Sequence, residues 1–178
     1  KDREIVLAAV KGNGSVLEYV HASLKKDREV VLAAVKNGGN ALEFADKLFR
    51  KDKEIIMTAL EEYGDYLQYA DVSLKKDKKI VMMAIKTAGE ALEFADASFK
   101  KDKEVVLMAI NQKSSALEFA DTSLKKDKKI VMTAVEQNGY SLRYADNSLK
   151  KDRDLALEAV KTNGNALDFI DASLKKDK

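Results

Sequence analysis

Lys26-Asp27-Arg28-Glu29-Val30-Val31-Leu32 restates Lys1-Asp2-Arg3-Glu4-Ile5-Val6-Leu7 after 25 residues, and the phrase returns at 51, 76, 101, 126 and 151 with no residue inserted or deleted. Lys176-Asp177-Lys178 opens an eighth copy. A fixed period in this range marks a chain whose units each bury an apolar face only against their neighbours. The expected fold class is therefore all-α: an α-solenoid of seven two-helix repeats, forming one continuous domain over 1–178. Packed at about 8–10 Å per helix, such a stack is roughly 60–70 Å long.

Each repeat reads as a helical pair. An aspartate (Asp2, Asp27, Asp52, Asp77, Asp102, Asp127, Asp152) is placed to cap the first helix by accepting from the free amides of its first turn. Apolar residues such as Val30, Val31, Ala34 and Val35 then recur at helical spacing. Gly14, Gly39, Gly64, Gly89, Gly139 and Gly164 stand at its end, where glycine closes a helix in the left-handed conformation. Ser114 takes that place in the fifth copy and predicts a differently shaped turn. The second helix carries capping-box patterns, Ser15 to Glu18, Asn40 to Glu43, Asp65 to Gln68 and Ser115 to Glu118. Its apolar face continues through Ala41, Leu42, Phe44, Ala45, Leu48 and Phe49. A leucine followed two residues later by an aromatic ring, from Leu17 and Tyr19 to Leu167 and Phe169, recurs in every copy. Helices of about ten residues do not persist alone in water, so stacking is what folds them.

The recurring phrase from Ser98 to Ala120 (Ser-Phe-Lys-Lys-Asp-Lys-Glu-Val-Val-Leu at its start, Ala-Leu-Glu-Phe-Ala at its end), repeated with local changes from Ser123 to Ala145, resembles the repeat of the family known as domain of unknown function 4116. The likeness covers essentially the whole chain. It implies an all-helical repeat protein with no activity common to the family, whose members occur in intracellular bacterial effectors and in protist or algal proteins. Glu29 to Phe49 is also similar to the helix, loop and helix of transcription-activator-like DNA-binding repeats, which are longer and usually contain a proline; this chain has none.

Composition narrows the function classes. With 46% hydrophobic and 35% charged residues the chain can both form a core and stay in solution. Its net charge of +2 supplies no strong global field for steering nucleic acid or a membrane surface. The absence of cysteine excludes disulfides, thiolate metal sites and cysteine nucleophiles. One histidine, His21, and acid pairs such as Glu61-Glu62 in polar stretches make no catalytic constellation. No enzyme activity, cofactor or metal is expected, and the expected setting is cytoplasmic, or inside a host cell for an effector fragment. The start without methionine and the cut within a repeat point to a piece of a longer protein.

Two charge ladders run through the repeats. Positions 1, 3 and 25 carry 21 cations, an edge that could hold phosphates, yet the capping aspartates cancel much of its field. Lys79 and Lys129 replace the usual glutamate and raise the local charge. Asp46, Asp71, Asp96, Asp121, Asp146 and Asp171 form the acidic ladder. Copies 8–10 Å or so apart cannot share one calcium ion; each aspartate instead stands four residues before a cation, as Asp46 before Arg50.

Variation between copies points to a surface. Position 8 reads Ala8, Ala33, Thr58, Met83, Met108, Thr133 and Glu158, and position 12 reads Gly12, Asn37, Glu62, Thr87, Gln112, Gln137 and Thr162. Four residues apart, the two share a helix face away from the constant valines. Met83, Thr87, Met108, Gln112, Thr133 and Gln137 are the candidate contact residues for a protein or peptide. The other readings are nucleic-acid binding through the lysine edge and an engineered array with no natural partner. Both terminal repeats keep interior apolar residues, Leu17, Tyr19 and Leu24 at one end and Leu167, Phe169 and Leu174 at the other, which points to end-to-end self-association or to flanking repeats.

Overall fold

The computed structural model describes residues 2–38 and 40–175. Among them every regular element is an α- or 3₁₀-helix. Gly39 and the start of the eighth copy, Lys176-Asp177-Lys178, lie outside the described residues. The chain divides into two compact units, Lys1–Ala95 and Asp96–Lys178.

In the first unit the leading helix of each repeat spans Arg3–Gly12, Arg28–Lys36, Lys53–Leu60 and Lys78–Thr87. In the second unit it spans Lys103–Gln112, Lys128–Gln137 and Arg153–Thr162. All seven aspartates cap these helices as expected, the side chain accepting from the second and third amides beyond it; Asp27 takes Glu29 N at 3.0 Å and Val30 N at 3.2 Å. Positions 5, 6, 9 and 10 face inward, so Val30, Val31, Ala34, Val35, Ile55, Ile56, Ala59 and Leu60 are buried in the first unit. Val105, Val106, Ala109, Ile110, Ile130, Val131, Ala134 and Val135 play the same part in the second. Each large member of this set stabilises the fold by about 1.5–3 kcal/mol through removal of apolar surface from water.

The second helix differs from the sequence expectation. It is a six-residue 3₁₀-helix in most copies (Gly14–Tyr19, Gly64–Tyr69, Gly89–Phe94, Ser114–Phe119, Gly139–Tyr144, Gly164–Phe169) and one α-turn, Ala41–Phe44, in the second. Position 20 then turns extended (Val20 φ −74°, ψ 143°; Ala70 φ −65°, ψ 147°), and a third short helix follows, such as Lys47–Lys51 or Thr122–Lys125. The cause is position 21. Asp46 accepts from Leu48 N, and Asp71, Asp96, Asp121, Asp146 and Asp171 accept from the amide and hydroxyl of Ser73, Ser98, Ser123, Ser148 and Ser173, so each opens a new turn, which is the first turn of a helix at Asp46, Asp96, Asp121 and Asp171 and leads into one at Leu74 and Leu149 after Asp71 and Asp146. His21 does the same through Nδ1, which accepts from Ser23 N at 3.2 Å.

The ladder aspartates thus cap turns, and the cation four residues on acts on Asp71, Asp121, Asp146 and Asp171 through its field. That cation bends back: the ammonium groups of Lys25, Lys75, Lys125 and Lys175 donate to the carbonyls of Glu18, Gln68, Glu118 and Asp168 at the end of the 3₁₀ segment. Asp46 and Asp71 lie nearest Lys26 and Lys51, at 3.8 and 4.0 Å. Their amides tie neighbouring repeats together, Asp46 N donating to Lys25 O and Asp71 N to Arg50 O in the first unit. Asp121, Asp146 and Asp171 donate likewise to Lys100, Lys125 and Lys150 in the second.

The glycines correct a second expectation. Of those described, Gly38 alone has a positive φ, at 154°. Gly14, Gly64 and Gly139 follow an extended residue and open the 3₁₀-helix. What they supply is closeness: a Cβ on Gly14 would stand 2.0 Å from Ala34 O of the next repeat, on Gly64 2.0 Å from Ala84 O, and on Gly139 1.9 Å from Ala159 O. Gly14 N donates to Asn37 O across the same junction. Ser114 keeps the common turn, with Lys113 at φ −155°, ψ 117° against −156°, 112° for Asn138, and is half-buried. The capping boxes are not used either. The cap is two residues earlier, Asn13 accepting from Ser15 N, Asn138 from Tyr140 N and Asn163 from Asn165 N, while Ser15 and Asn40 bond each other across repeats.

Candidate functional site

Because positions 5, 6, 9 and 10 fill the interior, positions 7 and 8 fall on the two shoulders of the first helix and positions 4 and 11 point outward. The two shoulders face different neighbours. From position 3, Arg3 reaches forward to Asp27 at 2.7 Å and Glu29 at 2.5 Å of the next repeat, and Arg28 reaches Asp52 and Glu54 at the same distances. From position 12, the Thr87 hydroxyl reaches back, donating to Leu60 O at 3.2 Å and also to Ala84 O of its own helix; Thr162 does the same to Val135 O at 3.0 Å.

The sequence candidates divide between the units. In the first, Met83 is half-buried and Thr87 exposed, its hydroxyl engaged with the backbone as above. In the second, Met108 and Thr133 are half-buried and Gln112 and Gln137 exposed, with the Thr133 hydroxyl donating to Lys129 O at 3.0 Å. The two threonines thus offer a methyl group rather than a free hydroxyl. The face holds more than position 8 alone. All five methionines of the chain, Met57, Met82, Met83, Met108 and Met132, sit half-buried at positions 7 and 8, and none belongs to the core. In the first unit a shallow groove on this face has Met57 and Thr58 as its floor and Lys36, Lys53, Glu54 and Glu61 as its rim.

At position 3 the lysine edge is engaged with acids of the next repeat within each unit. Lys53 pairs with Asp77 at 2.7 Å, Lys103 with Asp127 at 2.8 Å, and Lys128 with Asp152 and Asp154 at 2.7 and 3.2 Å. Where Lys79 and Lys129 stand at position 4, the clamp has one prong instead of two. Hydrogen bonds from Arg3, Lys53, Lys103 and Lys128 hold the Asp27, Asp77, Asp127 and Asp152 carboxyls below the ordinary range, and the Ser123, Ser148 and Ser173 hydroxyls do so for Asp121, Asp146 and Asp171. A carboxylate with a depressed folded-state pKa stabilises the fold fully above its unfolded value, near 3.9, and loses that contribution as pH falls through the folded value. The urea midpoint should therefore be level from neutral pH down to about 5 and fall steeply below about 4. A midpoint independent of pH down to about 3 would contradict these pairs and caps.

A second surface was missed in the sequence. The position-19 rings are not core: Tyr19 is 83% exposed, and Phe44, Tyr69, Phe94, Phe119, Tyr144 and Phe169 are half-buried. In the second unit Tyr140 meets Phe169 edge-on at 4.9 Å, and the Arg143 guanidinium lies 5.0, 5.2 and 5.7 Å from the Tyr140, Tyr144 and Phe169 rings. In the first unit Tyr63, Tyr66 and Tyr69 form a row with centroids 5.4 and 5.9 Å apart. Burial pushes the Tyr66 and Tyr69 hydroxyls up. The signal was there: residues three apart eclipse in a 3₁₀-helix, and Tyr63, Tyr66, Tyr69 and Tyr140, Arg143 keep that spacing. At 3.6 residues per turn each step of three falls about 60° short of a full turn, so Tyr63 and Tyr69 would stand roughly 120° apart rather than in one row.

Among the described residues no group of three or more His, Asp or Glu is arranged to hold a metal ion, and no helix is long and apolar enough to cross a membrane. Comparison with known proteins gives one family: the model for a domain of unknown function, DUF4116, matches residues 2–50, 52–100, 80–126, 102–150 and 127–175. The windows 2–50, 52–100, 102–150 and 127–175 each take in two adjacent repeats. No curated protein and no solved structure matches the chain. With matched windows running from residue 2 to residue 175, the chain belongs to the family described as domain of unknown function DUF4116.

Proposed function

We propose that the chain is a non-enzymatic α-solenoid of seven repeats that binds a protein or peptide segment along the outer face of its first helices. The observation that carries this reading is the placement of the methionines. The interior is built from valine, isoleucine, leucine and alanine with Phe49 and Phe99, and all five methionines stand on the shoulders of the first helices instead. Methionine is unbranched and polarisable, so a methionine surface repacks around different apolar partners where a β-branched one does not. Lys36, Lys53, Glu54 and Glu61 frame the groove over Met57 with charges of both signs, a rim suited to a segment that carries polar residues beside apolar anchors. Met83 and Thr87 extend the face in the first unit; Met108, Gln112, Thr133 and Gln137 extend it in the second.

Selection of binding peptides from a display library on the immobilised chain, followed by fluorescence anisotropy with the recovered peptides, tests the reading. Met83→Glu and Met108→Glu place a charge on each unit's face without touching a core residue, and at least one should weaken binding by on the order of tenfold or more. Unchanged affinity in both variants contradicts the site. Loss with Arg143→Ala instead would move it to the aromatic edge, where tyrosine and arginine, the residues most often dominant in interfaces, already cluster.

A further inference from the structure

The short second helices of the first unit carry charge of one sign. Gly14–Tyr19, Ala41–Phe44, Gly64–Tyr69 and Gly89–Phe94 hold Glu18, Glu43, Asp65, Glu90 and Glu93 and no lysine or arginine. The cations at position 25 stay close to the chain there. The ammonium groups of Lys25 and Lys75 donate to the carbonyls of Glu18 and Gln68, and Arg50, whose field reaches Tyr69, is half-buried.

The tyrosine row lies among these acids. Tyr63 is 55% exposed, Tyr66 meets it edge-on with centroids 5.4 Å apart, and Tyr69 follows at 5.9 Å. The Tyr69 hydroxyl donates to the Glu43 carboxylate, and Glu43 and Glu62 both act on Tyr66 through their fields. An aromatic face is electron-rich, so rings set beside carboxylates attract a cation from two sources at once.

The second unit shows which cation rings of the second helices take. There the Arg143 guanidinium, from position 18, lies 5.0 and 5.2 Å from the Tyr140 and Tyr144 rings and donates to the Tyr140 hydroxyl at 2.9 Å. Position 18 of the third repeat is Gln68, so that position supplies no guanidinium to the tyrosine row of the first unit. Arginine suits such a row better than lysine, because its planar and weakly hydrated head stacks on a ring. An extended segment advances roughly 6–7 Å over two residues, close to the 5.4 and 5.9 Å between ring centroids. Alternate arginines therefore meet successive rings.

We propose that Tyr63, Tyr66 and Tyr69 form a docking surface for an extended, arginine-bearing peptide segment, whose guanidinium groups stack on the rings while Glu43 and Glu62 balance their charge. This surface uses none of the methionine-face residues and does not rest on that reading.

Fluorescence anisotropy at low salt tests the proposal with three labelled probes: a peptide alternating arginine with serine, the same peptide with lysine for arginine, and a single-stranded oligonucleotide. The arginine peptide should bind with a Kd of about 10–100 μM, and the lysine peptide at least about threefold more weakly. Tyr63→Ala and Tyr66→Leu should each weaken the arginine peptide by about fivefold. Tyr63 is mostly exposed and leucine keeps apolar bulk at 66, and far-UV circular dichroism confirms that both variants are folded. No binding of the arginine peptide up to near-millimolar chain overturns the proposal. So does equal binding of the two peptides, or unchanged affinity in both variants, since charge alone would then hold the segment. Oligonucleotide binding that is lost in the tyrosine variants also overturns it, by making the row a platform for bases.

Discussion

Gly139→Ala should lower the stability of the chain by about 1–3 kcal/mol, the range for forcing an extra methyl into packed structure, while Gly164→Ala should leave it unchanged or raise it by under about 1 kcal/mol. Both glycines open a six-residue 3₁₀-helix after an extended asparagine that caps it, Asn138 at φ −156° and Asn163 at φ −154°, so the local conformations match. The difference lies in the neighbour. A Cβ on Gly139 would stand 1.9 Å from Ala159 O and 2.6 Å from Ala159 C of the following repeat; one on Gly164 meets nothing within 4 Å. The obstacle is backbone, so no rotamer change relieves it and the seventh repeat must back away from the sixth. Ser114 shows that the array can carry a side chain at this position, which is why the cost is a few kilocalories rather than loss of the fold. At Gly164 the alanine only narrows the unfolded ensemble. Urea denaturation of the two variants beside the parent measures the effect. Equal costs at both sites would mean that the glycines serve a local turn and not the junction.

The same contrast explains which parts of the fold were legible in the sequence. The capping aspartates and the buried set at positions 5, 6, 9, 10 and 17 could be read directly because an N-cap and an apolar stripe depend only on nearby residues. Asp27, Val30, Val31, Ala34 and Val35 carry their own instructions. The glycines could not be read that way. Nothing around Gly139 reveals that Ala159 O comes within 2 Å of its missing Cβ; that distance exists only after two repeats stack. The second helix failed for a different reason. Ala45, Leu48 and Phe49 continue a helical rhythm across a break that Asp46 imposes by capping Leu48 N. Side-chain competition for the backbone overrode the periodicity.

The candidate site was legible in part. The variation at positions 8 and 12 pointed to Met83 and Met108, and the structure adds Met57, Met82 and Met132 on the adjoining shoulder, where a constant-looking apolar position had hidden them. The Tyr140, Arg143, Tyr144 and Phe169 cluster escaped because Phe169 comes from the following repeat and meets Tyr140 and Arg143 only once the two 3₁₀-helices, Gly139–Tyr144 and Gly164–Phe169, stack. Position 3 of the lysine edge, which suggested phosphate contacts, holds junction clamps: Arg3 with Asp27, Arg28 with Asp52 and Lys53 with Asp77 in the first unit, Lys103 with Asp127 and Lys128 with Asp152 in the second.

The account rests on one claim: a repeat is stable because its neighbours cover it, so identical residues should differ in worth according to whether a neighbour is present. Leu142 and Leu167 test this most directly. They hold the same position in adjacent repeats and the same place in their 3₁₀-helices, Gly139–Tyr144 and Gly164–Phe169, but Leu142 is fully buried and Leu167 is 53% exposed. The measurement is the unfolding free energy of Leu142→Ala and Leu167→Ala in urea. Leu142→Ala should cost about 2–5 kcal/mol, through lost burial and the cavity left under the seventh repeat. Leu167→Ala should cost under about 1 kcal/mol, since little apolar surface is removed from contact. Comparable losses at the two positions would contradict the claim that stacking between repeats holds this fold together.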